Sequence, residues 1–532
     1  MLGEEDAVVP SMPVYEMKEV TVVETKSKEI IKPQILSEKE LGRLNSQSVA
    51  DALRYFSGVQ VKDYGGIGGI KTVNIRSMGT NHVGVFYNGV QLGNAQNGQV
   101  DLGRYSLDNV ESISLYNGQK SDVFQSAKDF SASSAVYITT KRPRFRRNEW
   151  FHLTGQVKTG SFGLINPSVI YEHKLTDKLY MSANAEYTYA NGRYKFRYKR
   201  LQLDGDVAYD TTAVRRNGDV QSFRTEVGLY GFVPFGKWNV NGYFYTSERG
   251  IPGAVVNNVF RHGERQSDKA AFGQGAFQKK LADFYELKLS GKFAWDYSNF
   301  LRDDPKELYL NNHYYQQEAY LSLANLFVLT DWWKVSASVD GQMNKMSADL
   351  TDFAYPIRWT ELVSIATSFD FRRFSLQASL LGTFIQETTR SRKNYTASPN
   401  KNEWSPAVFF NYQPFSHEHL SLSGFFKRIF RMPTFNDLYY TEIGNAKLKP
   451  ESTYQYDLGV SYEKHFGHSF YDSFLLKADG YYNEVKDKII AYPTGQQFRW
   501  TMINLGKVRI GGLELASRVA AHVQAMSFNL FL

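Results

Sequence analysis

Four short phrases between Lys71 and Arg144 decide the fold: KTVNIRSMG (Lys71–Gly79), VGVFYNGVQL (Val83–Leu92), VESISLYNGQKSDVFQ (Val110–Gln125) and AVYITTKRPR (Ala135–Arg144). Each is rich in β-branched and aromatic residues, which favour extended strands. The dipeptides Asn88-Gly89 and Asn117-Gly118 interrupt two of them, and these residue types tolerate the positive φ of tight turns. The stretch therefore predicts a small sheet of short strands ahead of a longer, more repetitive chain.

A helix is predicted just before this sheet. Within Ser46–Gly58, apolar residues recur at helical spacing, Ser46 or Ser48 can cap the start, and Gly58 suits the end. The glycine run Gly65–Gly69 does not follow the G-x-G-x-x-G spacing, and a strand rather than a helix comes after it. A nucleotide-binding loop is therefore excluded.

The composition favours a membrane barrel. Phe, Trp and Tyr make up 15% of the 532 residues although the mean hydropathy is only −0.42, and membrane barrels carry aromatic girdles at both interfaces. No run of about eighteen apolar residues occurs, which excludes transmembrane helices. The chain has no cysteine, so disulfides and Cys-ligated metals are excluded. Its net charge of +8 is not gathered into a basic stripe, which argues against nucleic-acid binding.

From residue 149 onward, apolar and polar residues alternate in segments of about ten, such as FHLTGQVK (Phe151–Lys158) and YQYDLGVSYE (Tyr454–Glu463). Tight turns such as PFGK (Pro234–Lys237) alternate with long polar loops such as Arg193–Gln221 and Glu248–Lys269. A β-sandwich would alternate too, but Glu, Lys and Asp deep inside strands favour a water-filled lumen. The pattern predicts an antiparallel transmembrane β-barrel with short turns at one end and long loops at the other.

The phrases between Lys71 and Arg144 resemble the plug domain of TonB-dependent outer-membrane receptors, and the cobalamin receptor branch in particular. Two later phrases, FRMPTFNDLYY…GNAKLKPE (Phe430–Glu451) and NLGKVRIGGLEL (Asn504–Leu515), resemble barrel phrases of the same family. The plug departs from the family pattern at several positions. Ser77, Asn88, Asn117 and Gln125 replace the expected Gly, Asp, Arg and Gly, Ser133-Ser134 replace a Gly-Gly, and Ser57 replaces a Pro.

The resemblance implies a mainly β protein in three parts. Residues 1–32 would form an N-terminal extension without a recognisable export signal, residues 33–143 an α+β plug domain, and residues 144–532 the transmembrane β-barrel. We count about seventeen strand candidates in the barrel, whereas plugged transporters close with roughly 22 strands. We therefore expect an incomplete, C-terminally truncated barrel, whose open sheet would leave costly unpaired edges in lipid.

The resemblance also implies two functional segments. The phrase EVTVVE would contain a TonB box, an exposed strand that TonB captures by β-pairing, although it also reads as a stray extended segment; its residues are Glu19, Val20, Thr21, Val22 and Val23. Apical plug loops would contact the substrate. Amide side chains suit this role because they donate and accept hydrogen bonds, although a plain polar turn has the same composition. The predicted substrate-binding residues are Asp63, Tyr64, Asn94, Gln96, Asn97 and Gln99.

The function implied by the resemblance is TonB-dependent import of a scarce, bulky nutrient across the outer membrane of a Gram-negative bacterium. Cobalamin or another corrinoid is the first substrate, and a ferric siderophore or haem is the alternative; a surface lipoprotein is a further partner that the resemblance allows. A passive porin and a surface adhesin remain as alternative functions from other classes of protein. No catalytic motif or metal site is recognised, so we predict no enzyme and no cofactor. Calcium in the carboxylate-rich loop Asp204–Asp210 is a minor expectation because EF-hand spacing is lacking.

Overall fold

The computed structural model describes residues 29–146, 148–252, 255, 263–303, 309–390, 397–415, 419–440, 443–466, 471–494, 499–523 and 526–531. A small sheet lies between residues 34 and 140, and longer strands run from residue 151 to residue 531. No helix in the described part of the chain is long and apolar enough to cross a membrane. We refer to the small N-terminal unit as the plug.

The plug consists of short elements. Its helices are α1 (Glu38–Leu41) and α2 (Val49–Leu53). Its strands are β1 (Gln34–Ser37), β2 (Val59–Asp63), β3 (Lys71–Ile75), β4 (Val83–Tyr87), β5 (Val90–Gln91), β6 (Val110–Asn117) and β7 (Ser134–Thr140). Five strands form one sheet in the order β1-β6-β7-β4-β5, and β2 pairs with β3. The predicted sheet of short strands is therefore present.

Helix α2 is shorter than the predicted Ser46–Gly58. Ser48 is its N-cap, and its hydroxyl accepts a hydrogen bond from the backbone N–H of Asp51 (3.4 Å). The chain leaves the helix at Arg54 and turns into β2 through Gly58, whose φ of 71° favours glycine. Apolar spacing alone does not distinguish this turn from further helix.

The strands after the plug are longer. In chain order they are β8 (Phe151–Gly160), β9 (Leu164–Thr176), β10 (Leu179–Ala190), β11 (Tyr194–Leu201), β12 (Val207–Arg215), β13 (Val220–Val233), β14 (Gly236–Ile251), β15 (Glu264–Ala282), β16 (Tyr285–Arg302), β17 (Leu310–Thr330), β18 (Trp333–Ala348), β19 (Ile357–Asp370), β20 (Phe374–Thr388), β21 (Lys401–Tyr412), β22 (His419–Arg431), β23 (Glu451–His465), β24 (Tyr471–Thr494), β25 (Arg499–Val523) and β26 (Met526–Phe531). One short helix, α3 (Phe435–Tyr439), lies between β22 and β23.

Within the described ranges, seventeen of these strands form a closed barrel. Each strand from β13 to β26 neighbours the next, β26 lies beside β8, and β9 pairs with β10. The number of strands agrees with the seventeen predicted from the sequence. The expectation of an open sheet is wrong, because this sheet closes on itself. Closure pairs the backbone groups that an open edge would expose to lipid.

The two ends of the barrel differ. Tight turns at residues 177–178, 234–235 and 331–332 join strands at one end, as predicted. Longer connections lie at the other end, and the predicted loop Arg193–Gln221 contains the separate hairpin β11–β12. The loop predicted at Glu248–Lys269 is shorter, because β14 continues to Ile251 and β15 begins at Glu264. In outer-membrane barrels the short turns are periplasmic and the long loops extracellular.

Candidate functional site

An upper cavity of about 360 Å³ lies between the plug loops and the barrel wall, at the end with the long loops. Five of the six predicted substrate residues line it: Tyr64, Asn94, Gln96, Asn97 and Gln99. The barrel side of the cavity comes from β14 to β17. Two plug loops that are separate in the sequence thus line one opening. Their amide and aromatic composition alone could not show that they lie side by side.

Asp63, the sixth predicted residue, is not among the residues that line this cavity. Its carboxylate accepts hydrogen bonds from the backbone N–H groups of Gly65 (3.1 Å) and Gly66 (2.9 Å). It also pairs with Arg54 at 3.3 Å. The observed role of Asp63 is therefore to shape the glycine turn beside the cavity.

The amide loop is held by its own side chains. The side-chain oxygen of Asn94 accepts hydrogen bonds from the N–H groups of Gln96 (3.1 Å) and Asn97 (3.2 Å). Gln316 on β17 accepts from the same Gln96 N–H and donates to its side-chain oxygen, both at 3.1 Å. Among the described residues, neither the side chain of Gln99 nor the side-chain NH₂ of Asn97 has a hydrogen-bond partner. These two amides can therefore bind a ligand without breaking a bond, whereas the side-chain oxygens of Asn94 and Gln96 are already engaged.

Four charged groups beside the cavity form a neutral network that the sequence analysis missed. Arg249 pairs with Asp268 at 2.7 Å, and Arg104 of the plug approaches the same carboxylate at 3.6 Å. Asp101 lies 3.3 Å from Arg104 and 3.8 Å from Arg249. Although burial opposes the charged form, Asp268 and Asp101 hold the pKa of the Arg104 guanidinium well above its ordinary value. The network ties plug to barrel at the edge of the opening.

Asp296 on β16 is another residue that sequence reasoning did not single out. It lines the upper cavity, and among the described residues its carboxylate makes no hydrogen bond or ion pair. The sequence did contain one signal for Asp296, a charged residue at an inward-facing position of an alternating strand. Several barrel strands carry such charges, so the signal does not indicate which of them faces the opening.

Three aromatic rings, those of Tyr105, Tyr243 and Phe272, form the floor of the upper cavity, and Tyr87 packs against them. Tyr105 and Tyr87 come from the plug, and Tyr243 and Phe272 come from the barrel. The ring centroids are 5.3 Å apart for Tyr105 and Tyr243, and 4.8 Å apart for Tyr243 and Phe272. Tyr87 joins the cluster at 5.5 Å from Tyr105. Such ring contacts are individually modest, and hydrogen bonds from Tyr243 to the Arg104 carbonyl (3.2 Å) and from Tyr87 to Glu226 (2.8 Å) add to them.

Below the floor, a lower cavity of about 280 Å³ lies between the plug and the barrel, near the tight turn at residues 234–235. On each of β14, β15 and β16, one buried residue separates the linings of the two cavities; these residues are Asn241, Gln274 and Ser290. On the plug side the β4–β5 hairpin separates them. Gln274 donates to the carbonyl of Tyr87 (2.7 Å), and Lys292 donates to that of Gln91 (2.8 Å).

Arg76 connects the plug to the opposite wall of the barrel. Its guanidinium lies 2.6 Å from Asp457 and 2.8 Å from Glu514, and its side chain is only 4% exposed. The guanidinium also stacks 4.5 Å from the ring centroid of Tyr481. Arg76 and Ser77 both have positive φ, 50° and 57°. The backbone is thus held in an uncommon conformation at this contact.

A second buried contact joins His82 to Glu451. The imidazole Nε2 lies 2.6 Å from the carboxylate, and we assign the proton to Nε2 because an ionised carboxylate can only accept. Arg431 and Lys488 also pair with Glu451, at 2.6 and 3.4 Å. Burial lowers the pKa of His82 to about 4, and the two nearby cations act in the same direction against the raising effect of Glu451. The neutral histidine therefore acts as a hydrogen-bond donor in this contact.

Two further predictions concern the termini and metals. The predicted TonB box, Glu19–Val23, lies outside the described residues. In the predicted calcium loop, Asp210 pairs with Arg197 at 2.6 Å. Within the described residues, no group of three or more His, Cys, Asp or Glu side chains could hold a metal ion. Calcium binding by Asp204–Asp210 stays a prediction.

Two family models match the chain. The TonB-dependent receptor plug domain matches residues 26–128, and the TonB-dependent receptor-like β-barrel matches residues 357–532. Among curated proteins, the vitamin B12 transporter BtuB of Photobacterium profundum is 23% identical over 501 residues, covering 93% of this chain and 74% of the relative. The plug and the barrel that the sequence predicted thus each match a model of the same family.

Solved structures of the family have the same fold. The copper transporter OprC superposes with a TM-score of 0.71 at 16% identity, covering 93% of this chain and 78% of that one. The FrpB iron transporter of Neisseria meningitidis superposes with a TM-score of 0.72 at 12% identity, covering 94% and 78%. Proteins of this family transport substrates and are not enzymes, in agreement with the prediction. The chain belongs to the TonB-dependent receptor family and is a plugged β-barrel transporter of the Gram-negative outer membrane.

Proposed function

We propose that this transporter imports a corrinoid, with vitamin B12 itself as the first candidate. The observation that carries the proposal is the upper cavity, which lies at the extracellular end and is lined by Tyr64 and by the amides of the 94–99 loop. Polar amides around an apolar floor suit a large ring-bearing ligand with many hydrogen-bonding groups. The B12-transporting relative named above supports the same choice.

The cavity would hold one edge of such a ligand. Asn97 and Gln99 would bind its polar groups, the carboxylate of Asp296 would accept a hydrogen bond from it, and the aromatic floor would contact its apolar face. Arg104 and Arg249 are already neutralised by carboxylates, so they would contribute little net charge. A ligand recognised mainly by neutral hydrogen bonds fits this arrangement better than a highly charged one.

Energy for import would come from TonB pulling the leader that precedes β1. Among the described residues, hydrogen bonds anchor this leader near its end: the Glu29 carboxylate accepts from the Tyr116 hydroxyl (3.2 Å), the Ile30 N–H donates to Ser121 Oγ (2.9 Å), and the Ile30 carbonyl accepts from Asn411 of the barrel (3.0 Å). Strand β1 follows as an edge strand, paired with β6 over four residues. A pull on the leader would therefore act on the short edge strand β1 before it reaches the central strands of the plug sheet.

Deleting Val20–Val23 tests the energised step. In cells that depend on the transporter, we expect uptake of radiolabelled cyanocobalamin to be lost, while binding to whole cells is retained. A deletion of equal length at Gly3–Asp6 is the matched control. If uptake survives the Val20–Val23 deletion, TonB coupling is rejected, and a passive porin becomes the better explanation of the uptake.

Substrate choice is tested separately by binding to the purified protein. Cyanocobalamin is expected to bind, and Asn97→Ala combined with Gln99→Ala is expected to weaken it about thirtyfold, since two hydrogen bonds of roughly 1 kcal/mol each are lost. The iron and haem alternatives are measured in parallel with a ferric siderophore and with haemin. Binding of one of these without binding of cyanocobalamin would replace the corrinoid proposal.

A further inference from the structure

The lower cavity has an unusual excess of positive charge. Four cationic side chains line it, and only one carboxylate does; the cations are Lys120, Arg142, Lys237 and Lys288, and the carboxylate is Asp129. Among the described residues, Lys288 and Arg142 take part in no ion pair or hydrogen bond. Lys120 makes no hydrogen bond or ion pair there either, but its ammonium lies 5.8 Å from the ring centroid of Tyr137. The upper cavity, by contrast, has its arginines paired.

Asp129 is already engaged. It accepts hydrogen bonds from the hydroxyl of Tyr137 (2.8 Å) and from the backbone N–H of Ser126 (3.2 Å), and the Ser126 hydroxyl adds a third. The nearby carboxylate of Glu286 lies outside the lining and accepts from Gln278 (2.9 Å).

Two further carboxylates lie near the cations but outside the lining: Asp122 accepts from the backbone N–H of Phe124 (2.9 Å), and Glu29 accepts from the hydroxyl of Tyr116 (3.2 Å). All of these carboxylates accept hydrogen bonds from other donors, so the cations can still bind an anion from outside.

Gln125 provides an independent observation. Its side chain lines the lower cavity and is only 4% exposed, yet among the described residues neither its oxygen nor its nitrogen has a hydrogen-bond partner. Its backbone is fixed, because Ser338 of the barrel donates to its carbonyl (2.7 Å). A buried amide that makes no bond is costly, and this one stands where the family pattern has glycine. Its NH₂ group is available as a donor to an anion.

The rest of the lining is aromatic. Tyr116, Tyr137, Phe124 and Tyr230 line the cavity together with Trp238. The cavity lies directly below the β4–β5 hairpin, whose Asn88 and Gly89 form part of its wall. A ligand leaving the upper cavity along β14–β16 would meet this space as soon as the hairpin shifted.

We propose that the lower cavity is a second ligand site, which binds a phosphate or carboxylate group of a ring-bearing molecule on its way to the periplasm. Lys288, Lys120 and Arg142 attract the anion, Gln125 donates to it, and the aromatic side chains contact the ring. This proposal rests on the proposed import function and deepens it. It adds a requirement that the upper cavity does not impose, namely that the imported molecule carries an anionic group.

The test uses phenyl phosphate and the full chain in a non-ionic detergent. Isothermal titration is expected to show saturable binding at low salt that weakens as salt rises. Lys288→Gln is expected to lower the affinity about tenfold, because it removes one charge-assisted hydrogen bond. The control is Lys279→Gln on β15, one residue from the cavity-lining Gln278 and therefore on the opposite face of the strand. Benzyl alcohol, which lacks the anion, is expected not to bind.

Gln125→Leu gives a readout that a purely structural role would not produce. Replacing an unpaired buried amide by an apolar side chain should raise the thermal unfolding temperature, while the affinity for phenyl phosphate should fall. A rise in stability with unchanged affinity would overturn the role of Gln125 in binding.

Two other outcomes would overturn the proposal. One is a failure of the binding experiment, in which either phenyl phosphate does not bind saturably or Lys279→Gln weakens its binding as much as Lys288→Gln does. The other is displacement of phenyl phosphate by phosphatidylglycerol in mixed micelles at lower concentration than by free phosphate, which would assign the cations to lipid headgroups. Because the assay needs neither TonB nor cyanocobalamin, its failure is distinguishable from failure of the corrinoid import proposal.

Discussion

Arg76 shows how a single side chain can hold plug and barrel together. Its guanidinium pairs with two carboxylates, Asp457 and Glu514, whose side chains are 3% and 12% exposed. Removing one member of a buried ion pair leaves an uncompensated charge, which usually costs about 3–5 kcal/mol. The strength of this contact therefore comes as much from the penalty of breaking it as from the attraction itself.

We predict that Arg76→Ala lowers the free energy of plug unfolding by roughly 3–5 kcal/mol. Differential scanning calorimetry of the detergent-purified protein measures the change. Arg144→Ala is the control, because Arg144 also pairs with a carboxylate, Glu111, but its side chain is 81% exposed. That pair should contribute less than about 1 kcal/mol. Equal effects of the two variants would contradict the buried-pair argument.

His82 makes the docking of the plug depend on pH. Its pKa is about 4 in the folded protein, compared with 6.5 for a histidine in an unfolded chain, so the unfolded chain binds the extra proton first as the pH falls. The contribution of His82 to stability is therefore complete above pH 6.5 and is lost progressively towards pH 4. The surrounding charges are Glu451, Lys488 and Arg431.

Between about pH 7.5 and pH 5 we expect the wild type to lose roughly 2 kcal/mol of plug stability through this residue. In His82→Gln, the amide can still donate to Glu451 but does not titrate. The variant should therefore lose about 2 kcal/mol less than the wild type over the same range. Unfolding temperatures at both pH values check this, and parallel pH profiles would show that another group is responsible.

At the residue scale, the sequence analysis located plug residues better than barrel residues. Tyr64 and Gln99 line the upper cavity, as residues of recognisable amide- and glycine-rich loops, and their contact with a substrate stays a prediction. Asp63 was predicted to contact the ligand, and its carboxylate accepts from the glycine turn, since sequence does not reveal which donors a loop carboxylate serves. Asp296 and Lys288 were missed because any inward strand position can carry a charge, and only the three-dimensional register shows which one faces a cavity.

The β4–β5 hairpin is the element that divides the upper cavity from the lower one. Its Asn88-Gly89 turn has φ values of 49° and 83°. The side chain of Asn88 bonds to β7 twice, accepting from the N–H of Thr140 and donating to its hydroxyl, each at 2.9 Å. Strand β5 itself has only two residues and forms one edge of the sheet. Strand β4 pairs with β7 over five residues, so β5 is the weakly held half of the hairpin and depends on the turn and on the bond from Lys292 to Gln91.

We predict that Asn88→Ala destabilises the hairpin locally by roughly 2 kcal/mol, from the lost hydrogen bonds and the positive φ. Amide exchange in peptides covering 85–92 should become about thirtyfold faster, as hydrogen–deuterium exchange mass spectrometry can measure. Peptides covering β6 should not change. The matched control is Asn97→Ala in the exposed amide loop, and loss of protection across the whole plug would contradict a local role.

At the element scale, the strands and tight turns could be predicted from two-residue alternation and from turn residues. The turn at 234–235 is an example, because Pro234 and Gly236 mark it in the sequence. Helix α2 was overestimated, since an apolar residue after the helix, Phe56, keeps the helical spacing while packing from a turn. The hairpin β11–β12 was assigned to a loop because it pairs only with itself.

The whole molecule is organised by its two faces. Outward-facing apolar side chains, such as Leu323 (41% exposed) and Val339 (56% exposed), lie between aromatic residues at both ends of the strands. At the periplasmic end, Phe327 stacks on Tyr285 with ring centroids 5.2 Å apart. Alternation predicted these faces. Closure of the sheet was not predictable, because it depends on how the first and last strands meet rather than on the pattern of any one strand.

The depth of each outward residue in the membrane gives the last prediction. Leu323 and Leu329 of β17 are both exposed, 41% and 49%, but Leu329 lies beyond the girdle residue Phe327, at a register shift beside the tight turn. Arginine on the lipid face costs about 2–4 kcal/mol at the bilayer midplane and roughly 0–1 kcal/mol near the interface. Leu323→Arg should therefore lower the free energy of folding into lipid vesicles by about 2–4 kcal/mol, and Leu329→Arg by less than about 1 kcal/mol. Urea titrations monitored by tryptophan fluorescence measure both. If the two substitutions cost the same, the apolar band is not centred near Leu323, and the placement of the plug cavities relative to the membrane would have to shift with it.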